Sequence, residues 1–185
     1  APGLTLRQLT QDTGLASYPA ISPDGKLLAY ASDRAGDGNL DIWVQQLSRG
    51  AQPIRLTRHP AEEWHPSFSP DSGQIVFGSG RDGGGLYMMP ALGGEERLLL
   101  RGELSNPRFS PDGLSIATAK LGGFQPSLLV VPASGGSPRR LAETFYAARD
   151  PVWSPDGKQI LFVGLTEMGA AGDWWVASLD GGPPV

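Results

Sequence analysis

The sequence predicts an all-β fold built from four successive copies of one unit, and three observations carry that reading. An eight-residue pattern recurs four times along the 185 residues. Glycine (26) and proline (17) are abundant, as turn-rich chains require, yet stay below the roughly 25–30% that marks low-complexity disorder. The apolar residues fall in runs of strand length, such as Leu128-Leu129-Val130-Val131 and Ile160-Leu161-Phe162-Val163, far short of the roughly 20 residues that span a bilayer as a helix.

The repeat comes first, because missing it would misassign everything else. Tyr18-Pro19-Ala20-Ile21-Ser22-Pro23-Asp24-Gly25 returns as His65-Pro66-Ser67-Phe68-Ser69-Pro70-Asp71, as Asn106-Pro107-Arg108-Phe109-Ser110-Pro111-Asp112-Gly113 and as Asp150-Pro151-Val152-Trp153-Ser154-Pro155-Asp156-Gly157. Its serine stands at 22, 69, 110 and 154, so the spacings are 47, 41 and 44. The first strand of each unit runs into Ser-Pro-Asp-Gly, where proline presets φ, aspartate suits the next position and glycine accepts positive φ. Ser72 takes the glycine place in the second copy. The second strand is apolar on both sides (Leu28-Ala29-Tyr30, Ile75-Val76-Phe77, Ile116-Ala117-Thr118, Ile160-Leu161-Phe162), the pattern of a strand sandwiched between sheets. A third strand holds Ile42-Trp43-Val44, Leu86-Tyr87-Met88, Leu128-Leu129-Val130 and Trp174-Trp175-Val176. Glycine turns follow at Arg49-Gly50, Gly93-Gly94, Gly135-Gly136 and Gly181-Gly182, and a short fourth strand ends in Ile54-Arg55-Leu56-Thr57, Arg97-Leu98-Leu99 or Arg139-Arg140-Leu141.

Four antiparallel strands per roughly 44 residues make the blade of a β-propeller. The chain thus reads as one domain over 1–185, with repeats near 18–64, 65–104, 105–149 and 150–185. Residues 4–10, which include Leu6-Arg7-Gln8-Leu9-Thr10, read as an orphan fourth strand completing the last or a preceding blade. If they complete the last, sixteen strands close a four-bladed ring; otherwise the four blades are part of a larger propeller, or an incomplete ring that pairs with another copy.

The motif set, Ser-Pro-Asp-Gly with an apolar triplet, then Ser32-Asp33-Arg34, Asp41-Ile42-Trp43 and Gly-Gly, resembles the WD40-like repeat of TolB-type propellers. It is also similar to the N-terminal propellers of dipeptidyl-peptidase-IV-like proteins. The first resemblance implies a binding or scaffold module that holds a protein, peptide or small ligand on a loop rim or in the central channel. It also implies a periplasmic or extracytoplasmic setting, including the sensor portion of a larger bacterial protein. The second implies an accessory propeller that gates substrate to a serine hydrolase domain.

Composition bears on partners. A net charge of −4 and a pI near 5.1 argue against a nucleic-acid footprint, which needs clustered Lys and Arg. With no cysteine there is neither a thiolate metal site nor a cysteine nucleophile. No cofactor is expected.

Within a blade the short Ser-Pro-Asp-Gly and Gly-Gly turns share one rim, leaving the longer connections on the other, where a rigid scaffold usually carries function. These are Ser32 to Asn39, Ser79 to Gly85, Lys120 to Gln125 and Leu165 to Gly172, with Gln11 to Ser17, Arg58 to Trp64, Arg101 to Ser105 and Glu143 to Arg149. The first strand lines a propeller's channel, so Tyr18, His65, Asn106 and Asp150, each just before the constant proline, are expected to ring its mouth. Trp64 and Arg149 precede two of them and would add a stacking face and an anion contact, the alternative for Trp64 being that it packs under a loop. Other constellations fall short. His59-Pro60-Ala61-Glu62-Glu63-Trp64-His65 lacks the His-Glu-x-x-His spacing of a zinc site. Asp37-Gly38-Asn39-Leu40-Asp41 opens like an EF-hand loop but has Ile42 for glycine at position six and Ser48 for glutamate at twelve; a turn before a strand-starting Asp41 fits better. Phe145-Tyr146 reads as a loop anchor. There is no Gly-x-Ser-x-Gly elbow and no phosphate-binding loop, so binding without turnover is expected.

Overall fold

The computed structural model describes residues 3, 6–10, 14–48, 50–121 and 127–180. Parts of the loops at Gln11 to Ser17 and Lys120 to Gln125, Arg49, and the Gly181-Gly182 turn lie outside the described residues. Among the described residues, fifteen strands and one three-residue 3-10 turn, Arg81–Gly83, make the fold all-β. The strands are β1 (Ala16–Ile21), β2 (Leu27–Ser32), β3 (Asp41–Gln46), β4 (Ile54–Arg55), β5 (Glu63–Phe68), β6 (Gln74–Ser79), β7 (Gly85–Pro90), β8 (Arg97–Arg101), β9 (Leu104–Phe109), β10 (Ser115–Lys120), β11 (Ser127–Pro132), β12 (Arg139–Leu141), β13 (Ala147–Trp153), β14 (Gln159–Leu165) and β15 (Asp173–Ser178). They form three four-stranded sheets in sequence order, β1 to β4, β5 to β8 and β9 to β12, and a three-stranded sheet, β13 to β15. Every pairing is antiparallel.

The repeated turn is held by its own side chains. The hydroxyl of Ser22 accepts a hydrogen bond from Leu27 N at 2.9 Å and donates to Asp24 Oδ1 at 2.6 Å, while Asp24 Oδ1 accepts from Lys26 N at 3.0 Å. Ser69/Asp71, Ser110/Asp112 and Ser154/Asp156 repeat this triangle. These bonds, led by that from the serine, hold the four aspartates below the usual carboxylate range. The fourth turn position needs positive φ. Gly25, Gly113 and Gly157 adopt 70°, 74° and 71°, and Ser72 adopts 61° in their place.

The sheets stack through their second strands. Ala29 and Ala31 of the first blade pack in one cluster with Phe68, Ile75 and Phe77 of the second. Val76 and Leu86 meet Leu104, Ile116 and Leu129 of the third, and Ala117 and Leu128 meet Ile160 and Phe162 of the fourth. Among the described residues each blade packs on the next in order and the fourth is not packed on the first, so these four sheets form an open arc. Ring closure by the N-terminus is accordingly not seen. Residues 6–10 form no strand; Arg7 Nη2 donates to Leu47 O and Gln45 Nε2 to Leu9 O, which lays the segment against blade one. The outer edge of β3 is already taken by β4. Residues 4 and 5 of that expected strand lie outside the described residues.

Candidate functional site

The four positions expected at a channel mouth share one backbone device. Between Ser17 and Ala20 the register of β1 on β2 slips by one residue, and the same slip occurs between Trp64 and Ser67, Ser105 and Arg108, and Arg149 and Val152. Each is a β-bulge, and the extra residue sits in the left-handed region: Tyr18 at φ 54°, His65 at 51°, Asn106 at 49° and Asp150 at 55°. Proline next to it costs no ladder bond, because the bulge already interrupts the ladder. Histidine, asparagine and aspartate are the non-glycine residues most at ease there. The backbone therefore explains part of the residue choice, with Tyr18 the exception. Four such conformations at one place store strain of the kind that gathers at functional sites, roughly 1–3 kcal/mol each.

The bulges turn these four side chains toward one another. The Tyr18 and His65 rings lie 4.0 Å apart between centroids, tilted by 54°. Asn106 Nδ2 donates to Asp150 Oδ1 at 2.5 Å. His65 is half-buried, and its Nδ1 is enclosed without a hydrogen-bond partner. Burial, and then the charge of Arg108, push the imidazole pKa down to about 4 against the opposing pull of Asp150. His65 is therefore neutral at pH 7, with its enclosed Nδ1 left without a partner.

The two flanking residues are placed differently. Arg149 is the register partner of Val163 on the outer side of blade four, and its exposed guanidinium reaches back to Asp150 at 3.8 Å. Trp64 is tied down: its indole N–H donates to Leu104 O of the next blade at 2.9 Å and its ring covers Gly78. A Cβ at Gly78 would stand 2.3 Å from that indole nitrogen. Trp64 thus joins two blades, which agrees with the packed alternative for it. Arg108, two residues past Asn106, was not anticipated. Its signal was present in the repeat, where the equivalent positions are Ala20, Ser67 and Val152.

The remaining candidate groups have local partners. His59 Nδ1 accepts from Ala61 N at 3.1 Å, and Glu62 accepts from Leu40 N at 2.9 Å. Glu63 is fully buried against Arg81, which also pairs with Glu96 and lies over the Tyr87 ring. Asp41 starts β3, fully buried, with Arg55 Nη2 at 2.6 Å; Asp37 meets the same nitrogen. Phe145 is the anchor expected of it, edge-on to Phe162 at 5.2 Å and Trp175 at 5.0 Å.

Comparisons with known proteins agree with this architecture. The family model for the TolB beta propeller domain matches residues 4–103. An uncharacterized protein of Agrobacterium fabrum is 33% identical over 159 residues, covering 82% of this chain and 53% of its own. The uncharacterized peptidase YuxL of Bacillus subtilis is 27% identical over 194 residues, covering 80% and 29%. The crystal structure of TolB from Acinetobacter baumannii superposes with a TM-score of 0.78 over 92% of this chain and 43% of its own at 23% identity, a likeness of fold. The chain spans about half the length, or less, of each of these proteins.

Proposed function

Because the chain belongs to the TolB beta propeller domain family, we propose that it is a non-catalytic recognition module that holds a protein or peptide partner at the channel mouth, in an extracytoplasmic setting. The observation that carries this reading is the convergence of Tyr18, His65, Asn106 and Asp150, one from each blade, in strained left-handed backbone around an unpartnered imidazole nitrogen. The group offers an aromatic face, a neutral imidazole, an amide and a carboxylate, with Arg149 beside it. It contains no activated nucleophile, so retention of a ligand without turnover is the chemistry it supports. No helix among the described residues is long and apolar enough to cross a membrane.

The test starts from a partner captured by pull-down. A His65→Ala/Arg149→Ala double variant should weaken calorimetric affinity by about 1–2 kcal/mol or more. Lys26→Ala and Lys158→Ala, beside the short turns, should leave it alone. If the short-turn pair loses affinity and the channel pair does not, the functional face has been assigned to the wrong rim.

A second reading is favoured by the relative named as a peptidase, of which the chain spans 29%. In it this propeller gates peptides to a hydrolase segment. A parent reading frame that encodes a Gly-x-Ser-x-Gly elbow beyond these repeats would favour it.

A further inference from the structure

Arg108 is a cation without an anion. The position two residues past the left-handed residue is Ala20, Ser67 and Val152 in the other three blades, so only blade three places a charge there. Arg108 is exposed, and its Nη1 donates to the carbonyl of its own neighbour Pro107 at 3.2 Å. Among the described residues no carboxylate comes within ion-pair distance of it. Asp150 attracts it only from farther off, with Oδ1 already taken by Asn106 and Arg149 beside the other oxygen. Other arginines are supplied: Arg55 and Arg81 each meet two carboxylates, and Arg97 and Arg139 donate to carbonyls of the next blade. Blade three lies between blades two and four, so Arg108 has both neighbouring blades in place.

Arg108 lines a cleft of about 370 Å³ at the short-turn end of the first strands. Pro23, Pro70, Pro111 and Pro155, one from each Ser-Pro-Asp turn, reach this cleft. Phe109, Val152 and Trp153 give it an apolar wall. That wall is fixed from outside the cleft. Trp153 Nε1 donates to the Arg108 carbonyl at 2.9 Å, which ties β13 to β9. Pro70 Cδ lies 3.4 Å from the Cβ position of Gly113, and Pro111 Cδ 3.6 Å from that of Gly157, so successive turns interlock. A pre-formed apolar cleft with one convergent charge is the usual form of a small-ligand site.

We propose that this cleft binds a carboxylate carrying a small apolar body, with Arg108 as its charge partner. The planar guanidinium matches a carboxylate through two parallel hydrogen bonds. One cation balances one negative charge, whereas a phosphate dianion would be left half neutralised among prolines and aromatic rings. The volume lies at the lower end of the roughly 300–1,000 Å³ of small-ligand sites, which keeps the body small. This chemistry is shared by a free N-acylated amino acid and by the C-terminal residue of a peptide. The cleft lies on the short-turn side of His65 and the other bulge residues and does not depend on partner binding there, so the two can fail separately.

Indole N–H spectra of the ¹⁵N-labelled 185-residue chain test this, with the Trp153 signal assigned by Trp153→Phe. The probes are N-acetylphenylalanine, its uncharged amide, an acetylated alanyl-alanyl-phenylalanine with a free C-terminus, and inorganic phosphate. The acid should shift the Trp153 signal saturably below about 10 mM, with the amide at least about tenfold weaker. Arg108→Gln should weaken the acid by about tenfold or more, and Val152→Asp should do the same by supplying a carboxylate within the cleft. Both positions are exposed, and far-UV circular dichroism checks that both variants fold. A tripeptide that binds as tightly as the acid assigns the site to peptide C-termini; one about tenfold weaker or more assigns it to free small acids. Equal affinity for acid and amide overturns the proposal, as does phosphate that matches the acid. A Trp153 signal unmoved by the acid, or affinity unchanged in Arg108→Gln, overturns it equally.

Discussion

Truncating Phe162 to alanine puts a number on the blade-stacking account. The ring is 0% exposed at the centre of the blade three–four cluster with Ala117, Leu128, Leu141 and Ile160, and stands edge-on to Phe145 at 5.2 Å. Its neighbours are strands fixed by backbone ladders, so the site collapses little and the removed ring leaves most of its volume empty. Transfer and cavity terms together come to about 3–5 kcal/mol for a buried phenylalanine, of which the aromatic pair contributes roughly 0.5–1.5. In urea, with a slope near 2 kcal/mol per molar for a chain of this size, the midpoint should fall by about 1.5–2.5 M. Lys158→Ala, on the exposed Ser-Pro-Asp-Gly turn of the same blade, should move stability by less than about 0.5 kcal/mol. A Phe145→Ala/Phe162→Ala cycle should show a non-additive term, because the two rings touch. Equal midpoints for Phe162→Ala and Lys158→Ala would refute the placement of this strand between blades.

Three further outcomes follow from named contacts. His65 keeps a folded pKa of about 4 against an ordinary 6.5, so between those values the unfolded chain binds the proton that the folded one refuses. Its contribution is present above pH 6.5 and lost as pH falls toward 4, by at most about 3 kcal/mol. Glu63, pushed up to about 7 mainly by burial, acts with the opposite sign, its contribution being lost as pH rises through 7; the readout is therefore the difference between wild type and His65→Asn, which keeps a residue suited to left-handed backbone. Gly78→Ala should destabilise by about 1–3 kcal/mol, since its Cβ would stand 2.8 Å from the Leu104 carbonyl as well as against the Trp64 indole; thermal unfolding measures it. Trp64→Phe should cost about 1–3 kcal/mol by leaving that carbonyl unpaired, while partner binding is unchanged once folding is corrected for.

The blades were legible because each copy repeats the same local chemistry. A serine and an aspartate that bond to each other and to the next backbone amides specify a turn without outside help. The apolar triplet that follows needs only cover on both faces. The four positions before the constant prolines were legible as equivalent places, since the repeat puts each on the first strand of its blade. Their left-handed backbone was not, because a residue preceding proline is biased toward extended geometry; the recurrence of histidine, asparagine and aspartate was the available signal. Residues 6–10 of the strand expected at 4–10 form no strand, although their sequence suits a fourth strand; the outer edge of β3, the third strand of the blade they lie against, is taken by β4. The partner of Trp64 was not legible, since it is a carbonyl forty residues away in the next blade; Gly78 opposite it, with no side chain to occupy that space, was the clue.

The central claim is that His65 sits in the channel where the partner binds, and the chain has only two histidines, His59 and His65. Long-range ¹H–¹⁵N spectra of the imidazoles, assigned with His65→Asn, follow that residue directly. The account predicts a neutral ring that titrates near 4 and whose nitrogen shifts move on addition of the captured partner. An imidazole that titrates near its ordinary value, with shifts indifferent to a saturating partner, would contradict it.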